Sequence, residues 1–245
     1  MIAVIRKELV SYFSSPLAYV VIATFLAVSG FLFYSNLSFF LLSGGFDLMR
    51  GLWQYQLQDM RLLLLVSVPL LTMRSFAEER RLGTLELMWT YPLRDVEIVL
   101  GKFVAALLVL TLMLAGTLLH AFLLLPAQAD VALAPLLAGY LGILLLGGAF
   151  LAVGILISSL TDSQALAAMV TFSVLFLLWM MTWNEAAVGA PVLWILRELS
   201  LFDRFYTFAR GGIDTKDVIF LVLMTAVFLA WTIMALGSRR WRGVR

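Results

Sequence analysis

The chain has 245 residues, 63% hydrophobic and 13% charged, with a mean hydropathy of +1.02 and a formal net charge of +2. Soluble globules typically carry about 25% charged residues, so this composition excludes one and points to a bilayer, with room for a single membrane domain over residues 1–245 and no second, soluble one. The small net charge gives no reason to expect nucleic acid, and the lack of cysteine excludes disulfides, cysteine-ligated metals and thiol chemistry.

Residues 1–14 come first. Ile2, Ile5, Leu9 and Phe13 share one helical face and Arg6, Lys7 and Glu8 the other, which predicts an interfacial helix. The charge-free run Ser11–Phe46 follows, and it continues well past the 7–15 apolar residues of a signal peptide, so it is expected to be a retained span. Crossing the hydrocarbon takes about 20 mostly apolar residues in a helix, because backbone N–H and C=O groups must pair internally there. Trp53–Met73 is the weakest candidate. Asp59 and Arg61 must lie near its outer end or face protein or water, and Pro69 is expected to kink it. Phe103–Ala129, Val131–Thr161, Ser163–Asn184 and Val218–Ser238 complete an all-α fold of six spans. With both termini inside, eleven Lys and Arg residues face the cytoplasm and six face out, the preferred orientation.

That topology makes Arg74–Asp95 the largest inner loop, and it holds eight of the chain's 32 formal charges. Ser75 and Glu78 have the spacing of a capping box, and Glu78 and Glu79 suit a first helical turn, so a short helix is expected from Phe76. Gly83 interrupts it and Thr84 can cap a second, which Pro92 ends; Leu82, Leu85, Met88 and Trp89 form an apolar stripe. Asp95 is the expected N-cap of the third span. These two amphipathic helices at residues 76–91 would offer both charge signs beside an apolar ridge at the inner face. An ordinary solvated inner loop is the alternative.

His120 is expected near the outer end of the third span, in a structural polar contact, with a transport role as the alternative. In the fourth span Ala134, Ala138 and Gly142, followed by Gly147, Gly148 and Gly154, predict close helix packing, with a flexible gating helix as the alternative. The segment at 185–215 is too charged to cross and rich in aromatic residues, so it belongs at the outer interface.

Several chemistries have no motif. Gly101-Lys102 has Val96 at the first glycine position of a P-loop and Phe103 after the lysine, so no ATPase site is encoded. There is no H-E-x-x-H or G-x-S-x-G, one histidine cannot build a multi-histidine metal site, and no catalytic, cofactor or metal residue is expected. An ion-driven secondary transporter would place ionisable residues deep in the membrane. Asp59, Asp130 and Asp162 are all expected at span ends, which disfavours it. A non-transporting membrane anchor of a larger complex stays open.

The run "FAEERRLGTLELMWTYPLRDVEIVLGKF" resembles the signature of ABC-2-type transporter permeases, and "VIRKELVSYFSSPLAY" is similar to that family's start, especially to the small gliding-motility and nitrous-oxide-reductase-maturation permeases. The resemblance implies an export permease of a prokaryotic plasma membrane. A separate cytoplasmic ATPase would bind ATP and Mg, a second permease, identical or different, would complete the transporter, and membrane lipid would surround it. By position, Glu78, Glu79, Arg80, Arg81, Gly83, Thr84 and Glu86 would match the family's ATPase-coupling element, which docks in a groove of the ATPase, with Leu85 and Trp89 as its apolar anchors and Glu79, Arg80 and Glu86 on the rim. Short helices dipping in from outside are also implied, which makes Trp194, Phe202, Phe205 and Tyr206 candidates to line or close an outer exit.

Overall fold

A computed structural model describes residues 1–42, 48–84, 94–120, 133–180 and 201–240; for residues 48–50, 133–134, 202–203 and 239–240 it describes the backbone alone. Every regular element among them is a helix. In chain order these are α1 (Ile2–Ser14), α2 (Pro16–Leu42), α3 (Leu48–Thr72), α4 (Ala77–Arg81), α5 (Asp95–Thr117), α6 (Leu133–Leu160), α7 (Gln164–Met180), α8 (Leu201–Ala209) and α9 (Thr215–Arg240).

Five segments are long and apolar enough to cross a membrane: Pro16–Leu42, Gly51–Arg81, Asp95–Thr117, Pro135–Leu160 and Thr215–Ser238. The expected fifth span holds a shorter apolar helix, α7, whose 17 described residues extend about 25 Å at 1.5 Å per residue, less than a full crossing of about 30 Å. The weakest expectation became one of the long helices. α3 starts at Leu48 and continues through Pro69, so Asp59 lies well inside it and not at its end, where Asn36 of α2 donates a hydrogen bond to its carboxylate at 2.7 Å. Burying one face of α3 against α2, α6 and α7 stabilises a helix that its hydropathy alone leaves marginal.

α6 is the central helix, packing against α3, α5, α7, α8 and α9. Its small residues are there for space: a Cβ at Gly142 would lie 2.4 Å from Phe208 of α8, and one at Gly154 would lie 2.1 Å from the Thr72 hydroxyl of α3. Ala138 is buried in the same helix. The packing expectation therefore describes α6, with backbones brought close enough for dense van der Waals contact. Around it, Met60, Leu64 and Val68 of α3, Leu110 and Met113 of α5, and Leu146 and Phe150 of α6 form one fully buried core.

The two ends of α6 carry different attachments. Near Leu160 it holds the α3–α4 turn through Ser158, and near Leu133 it holds α8 through Gly142 and Pro135. Gly142 and Ser158 are separated by about 24 Å along the helix, so α4 and α8 sit at opposite ends of the bundle.

Candidate functional site

The charged stretch starting at Arg74 begins where α3 ends. Ser75 does not cap the next helix. Phe76 is the N-cap of α4, with no side-chain cap of its own, and the role passes to Ser158 of α6. Its hydroxyl oxygen accepts the N–H groups of Phe76 at 3.1 Å and Ala77 at 3.2 Å and donates to the Met73 carbonyl at 3.3 Å. The capping box fails because these N–H groups point into the bundle, where Ser158 is fully buried, and a buried donor must find a partner there.

α4 itself follows the expected charge order, with Glu78 and Glu79 in its first turn and Arg80 and Arg81 in its last, each sign at the favourable end of the helix dipole. It stops at Gly83, whose φ of +67° is a left-handed conformation suited to glycine. There the Gly83 N–H bonds the Arg80 carbonyl at 3.0 Å, and the Thr84 hydroxyl donates to the Glu79 carbonyl at 3.2 Å. Thr84 thus closes the end of α4. Leu82, the first member of the apolar stripe, is 62% exposed at the tip. Leu85, Glu86 and Trp89 lie outside the described residues, as does Trp194.

Beneath α4 lies a buried charge cluster. Lys102 of α5, its side chain 1% exposed, places its ammonium 2.8 Å from Glu8 of α1 and 3.0 Å from Glu79 of α4. Lys7 pairs with the other Glu79 oxygen at 2.5 Å and lies 3.7 Å from Glu8. The Phe76 ring closes the floor, 4.9 Å from the Lys102 ammonium. Two cations and two carboxylates balance, which a desolvated site requires. Burial pulls the Lys7 ammonium down, but the Glu79 hydrogen bond and the Glu79 and Glu8 charges outweigh it and hold its pKa above the ordinary lysine value.

Glu8 corrects one expectation: it lies on the side of α1 that faces the bundle, together with Val4, and not on a solvated polar face. Val4 packs where a Cβ on Gly101 would fall 2.7 Å from its methyl, so α1 is pressed onto α5. Tyr12 of the same helix donates to the Leu71 carbonyl at 3.0 Å, and burial raises its phenol pKa, keeping it protonated as a donor.

Further contacts radiate from the same element. Arg74 donates to the Ser15 hydroxyl at 2.6 Å, in the α1–α2 turn. Arg80 pairs with Asp162 in the α6–α7 turn at 3.0 Å. Asp95 is the first residue of α5 and Arg94 its N-cap, with Glu97 accepting the Arg94 N–H at 3.2 Å. α4 and its preceding turn therefore touch α1, the α1–α2 turn, α5, α6 and the α6–α7 turn. Any displacement of α4 must break contacts with several of them.

At the other end, α8 brings Phe205 and Phe208 into the core, both fully buried. Arg61 lies 6.0 Å from the Phe205 ring centroid. Tyr206 stays exposed, its hydroxyl accepting from Arg210 at 2.7 Å. Phe202 belongs to α8, with its side chain outside the described set. Arg204 pairs with Asp217 at 3.0 Å and covers the Phe220 ring at 4.0 Å, joining α8 to α9. His120, just beyond α5, stacks on Phe33 of α2 with ring centroids 5.0 Å apart, and its buried Nδ1 has no hydrogen-bond partner among the described residues, so its contact is aromatic and not the polar one expected.

Lys102 and Ser158 are the residues that sequence reasoning missed. Each is a polar side chain near the end of an apolar run, a signal that a partner exists but not which one. Among the described residues no group of three or more His, Asp or Glu is arranged to hold a metal.

A search among curated proteins finds no match. The sequence profile described as ABC-2 family transporter protein matches residues 3–241, nearly the whole chain. Members of that family are multi-pass membrane components of ABC transporters, associated with an ABC ATPase and generally without an ATPase site of their own. This chain belongs to the ABC-2 family of transporter proteins.

Proposed function

We propose that the chain is the permease subunit of an ATP-driven exporter and that α4, with the residues following it, is where its ATPase docks. The observation that carries this reading is the Glu8–Lys102–Glu79 cluster. It joins an exposed tip to the interfacial helix α1 and the membrane-length helix α5, so a push on α4 is delivered to both together. Exposed Leu82 supports the apolar ridge, and Leu85 and Trp89 extend the stripe by sequence. Glu78, Glu79, Arg80, Arg81, Gly83, Thr84 and Glu86 are the proposed coupling residues.

The reading includes six spans with both termini in the cytoplasm, a prokaryotic plasma membrane, and ATP and Mg held by the partner. A second permease subunit, the same chain or a different one, faces the first. Residues 1–14 are its interfacial helix and 185–215 its outer segment, in which Trp194, Phe202, Phe205 and Tyr206 close the exit. Burial of Phe205 suits a plug that must be withdrawn to open. Switching follows from ATP stabilising one arrangement of the assembly over the other.

Single cysteines at Arg81 and the exposed Ile213, in this otherwise cysteine-free chain, test the orientation with an impermeant thiol reagent. Arg81 should label only from the cytoplasmic side and Ile213 only from outside; both labelling from outside sinks the topology. Asp59 inside α3 favours an ion-driven transporter instead. Asp59→Asn should then abolish gradient-driven transport in vesicles free of ATPase, whereas the permease reading predicts no such transport to abolish.

A further inference from the structure

A cavity of about 470 Å³ opens between α1, the start of α2, the end of α3 and α4, within the size range of small-ligand sites. Two kinds of charge line it. Lys7, Glu8, Glu79 and Lys102 are occupied with one another, as described above. Arg74 and Glu78 form only a loose i,i+4 ion pair at 3.8 Å, with no hydrogen bond between them, and the Glu78 carboxylate accepts no hydrogen bond among the described residues. The Arg74 guanidinium spends one N–H on Ser15 and, among the same residues, leaves the Nε hydrogen without a hydrogen bond. Ser15 accepts both that N–H and the Leu17 N–H, at 3.3 Å, so its own hydroxyl proton is still available. The cavity thus offers donors at one place and a carboxylate at another, a neutral but polarised pair.

The chemistry that fits is a zwitterion with a phosphate next to a primary ammonium. Guanidinium and hydroxyl donors suit the phosphate oxygens, and the carboxylate suits an N–H₃⁺ group, each through charge-assisted hydrogen bonds. A quaternary ammonium has no proton to give Glu78, and an anionic headgroup without an amine leaves that carboxylate facing negative charge. The surroundings select a lipid as the source. α1 exposes Ile2, Val10 and Phe13 beside Arg6 and Lys7, the mixture of an interfacial helix. The cavity's remaining wall includes Leu17 and Leu70, from helices that enter the membrane, so an acyl glycerol backbone can leave along them.

We infer that this cavity binds a phosphoethanolamine headgroup from the adjoining leaflet, with Arg74 and Ser15 on the phosphate and Glu78 on the ammonium. Occupancy would cross-link the end of α3 to α4 and hold α4 against the bundle. The inference rests on α4 lying at a membrane surface, not on ATPase docking, and lipid retention is measured without the ATPase, so the two can fail separately.

The test is native mass spectrometry of the full chain released from detergent and titrated with palmitoyl-oleoyl phosphatidylethanolamine, phosphatidylcholine or phosphatidylglycerol, with soluble glycerophosphoethanolamine as a fourth probe. Phosphatidylethanolamine should be retained about tenfold more tightly than either other lipid, and Arg74→Gln and Glu78→Gln should each remove most of that preference. Arg74→Lys, which keeps the charge, should restore part of it, and Arg6→Gln, outside the cavity, should leave it intact. Circular dichroism of each variant separates lost binding from lost fold. Equal retention of the three lipids, a preference for phosphatidylglycerol, or tight binding of the soluble probe without its acyl chains would each overturn the assignment.

Discussion

Lys102→Met removes one charge from the cluster and leaves the methylene volume largely filled. Its ammonium is almost completely buried, 2.8 Å from Glu8 and 3.0 Å from Glu79. Breaking a buried pair by deleting one partner costs about 3–5 kcal/mol when the other charge is left alone. Here Lys7 stays within 2.5 Å of Glu79 and 3.7 Å of Glu8, and these carboxylates are about one-tenth exposed, so we expect a cost at or just below the bottom of that range, about 2–3 kcal/mol. For a chain of this size that corresponds to a fall in melting temperature on the order of 5–10 °C. Adding Glu8→Gln restores neutrality, with Lys7 and Glu79 still paired. The double variant should recover at least about 1 kcal/mol relative to the sum of the single changes, a coupling that a double-mutant cycle reads directly. Thermal unfolding of the detergent-purified chain, followed by intrinsic tryptophan fluorescence, is the assay. If Lys102→Met melts within a degree of the parent, or the two changes add independently, the cluster does not hold α1, α4 and α5 together.

Three other perturbations probe the same element. Ser158→Ala leaves the N–H groups of Phe76 and Ala77 without their buried acceptor and should cost about 1–3 kcal/mol, visible as faster amide exchange across residues 76–81; unchanged exchange would contradict its capping role. Gly83→Ala should cost about 1 kcal/mol from backbone conformation alone, since no atom lies within 4 Å of a Cβ there, and Gly83→Asn should cost less; equal melting temperatures for all three would remove the left-handed turn from the account. Lys7 and Tyr12 have pKa values raised in the fold from 10.5 and 10.0. The stability each contributes is therefore complete below about pH 10 and is lost as pH rises through the folded values. Melting temperature should decline above about pH 10, and Lys7→Met with Tyr12→Phe should flatten that decline.

The parts legible in the sequence are those set by long apolar periodicity. Four of the long membrane-length helices and α7 follow charge-free runs, and the small residues of α6 mark its close contacts. α3 was hardest to read because Asp59 and Arg61 lower its hydropathy, while its stability comes from packing that no local window contains. Charge order within α4 and the stop at Gly83 were readable because both depend on neighbouring residues. Caps were not: Ser75 has the right spacing, but the acceptor that wins is Ser158, 82 residues from Phe76 in the chain. Lys102 reads as one more inner positive charge until α1 folds back and brings Glu8 to it, across 94 positions. Contacts of that separation depend on the tertiary fold and leave no local pattern.

Docking of the ATPase on α4 is tested most directly by photo-crosslinking within the assembled complex in native membranes. A photoreactive amino acid at Leu82, exposed at the tip of α4, is compared with one at Ile213, exposed at the end of the bundle that carries α8. The Leu82 probe should capture the ATPase, the Ile213 probe should not, and Leu82 capture should fall when ATPase is displaced by high salt. ATPase captured from Ile213 and not from Leu82, with both variants inserted at parental levels, would contradict the account.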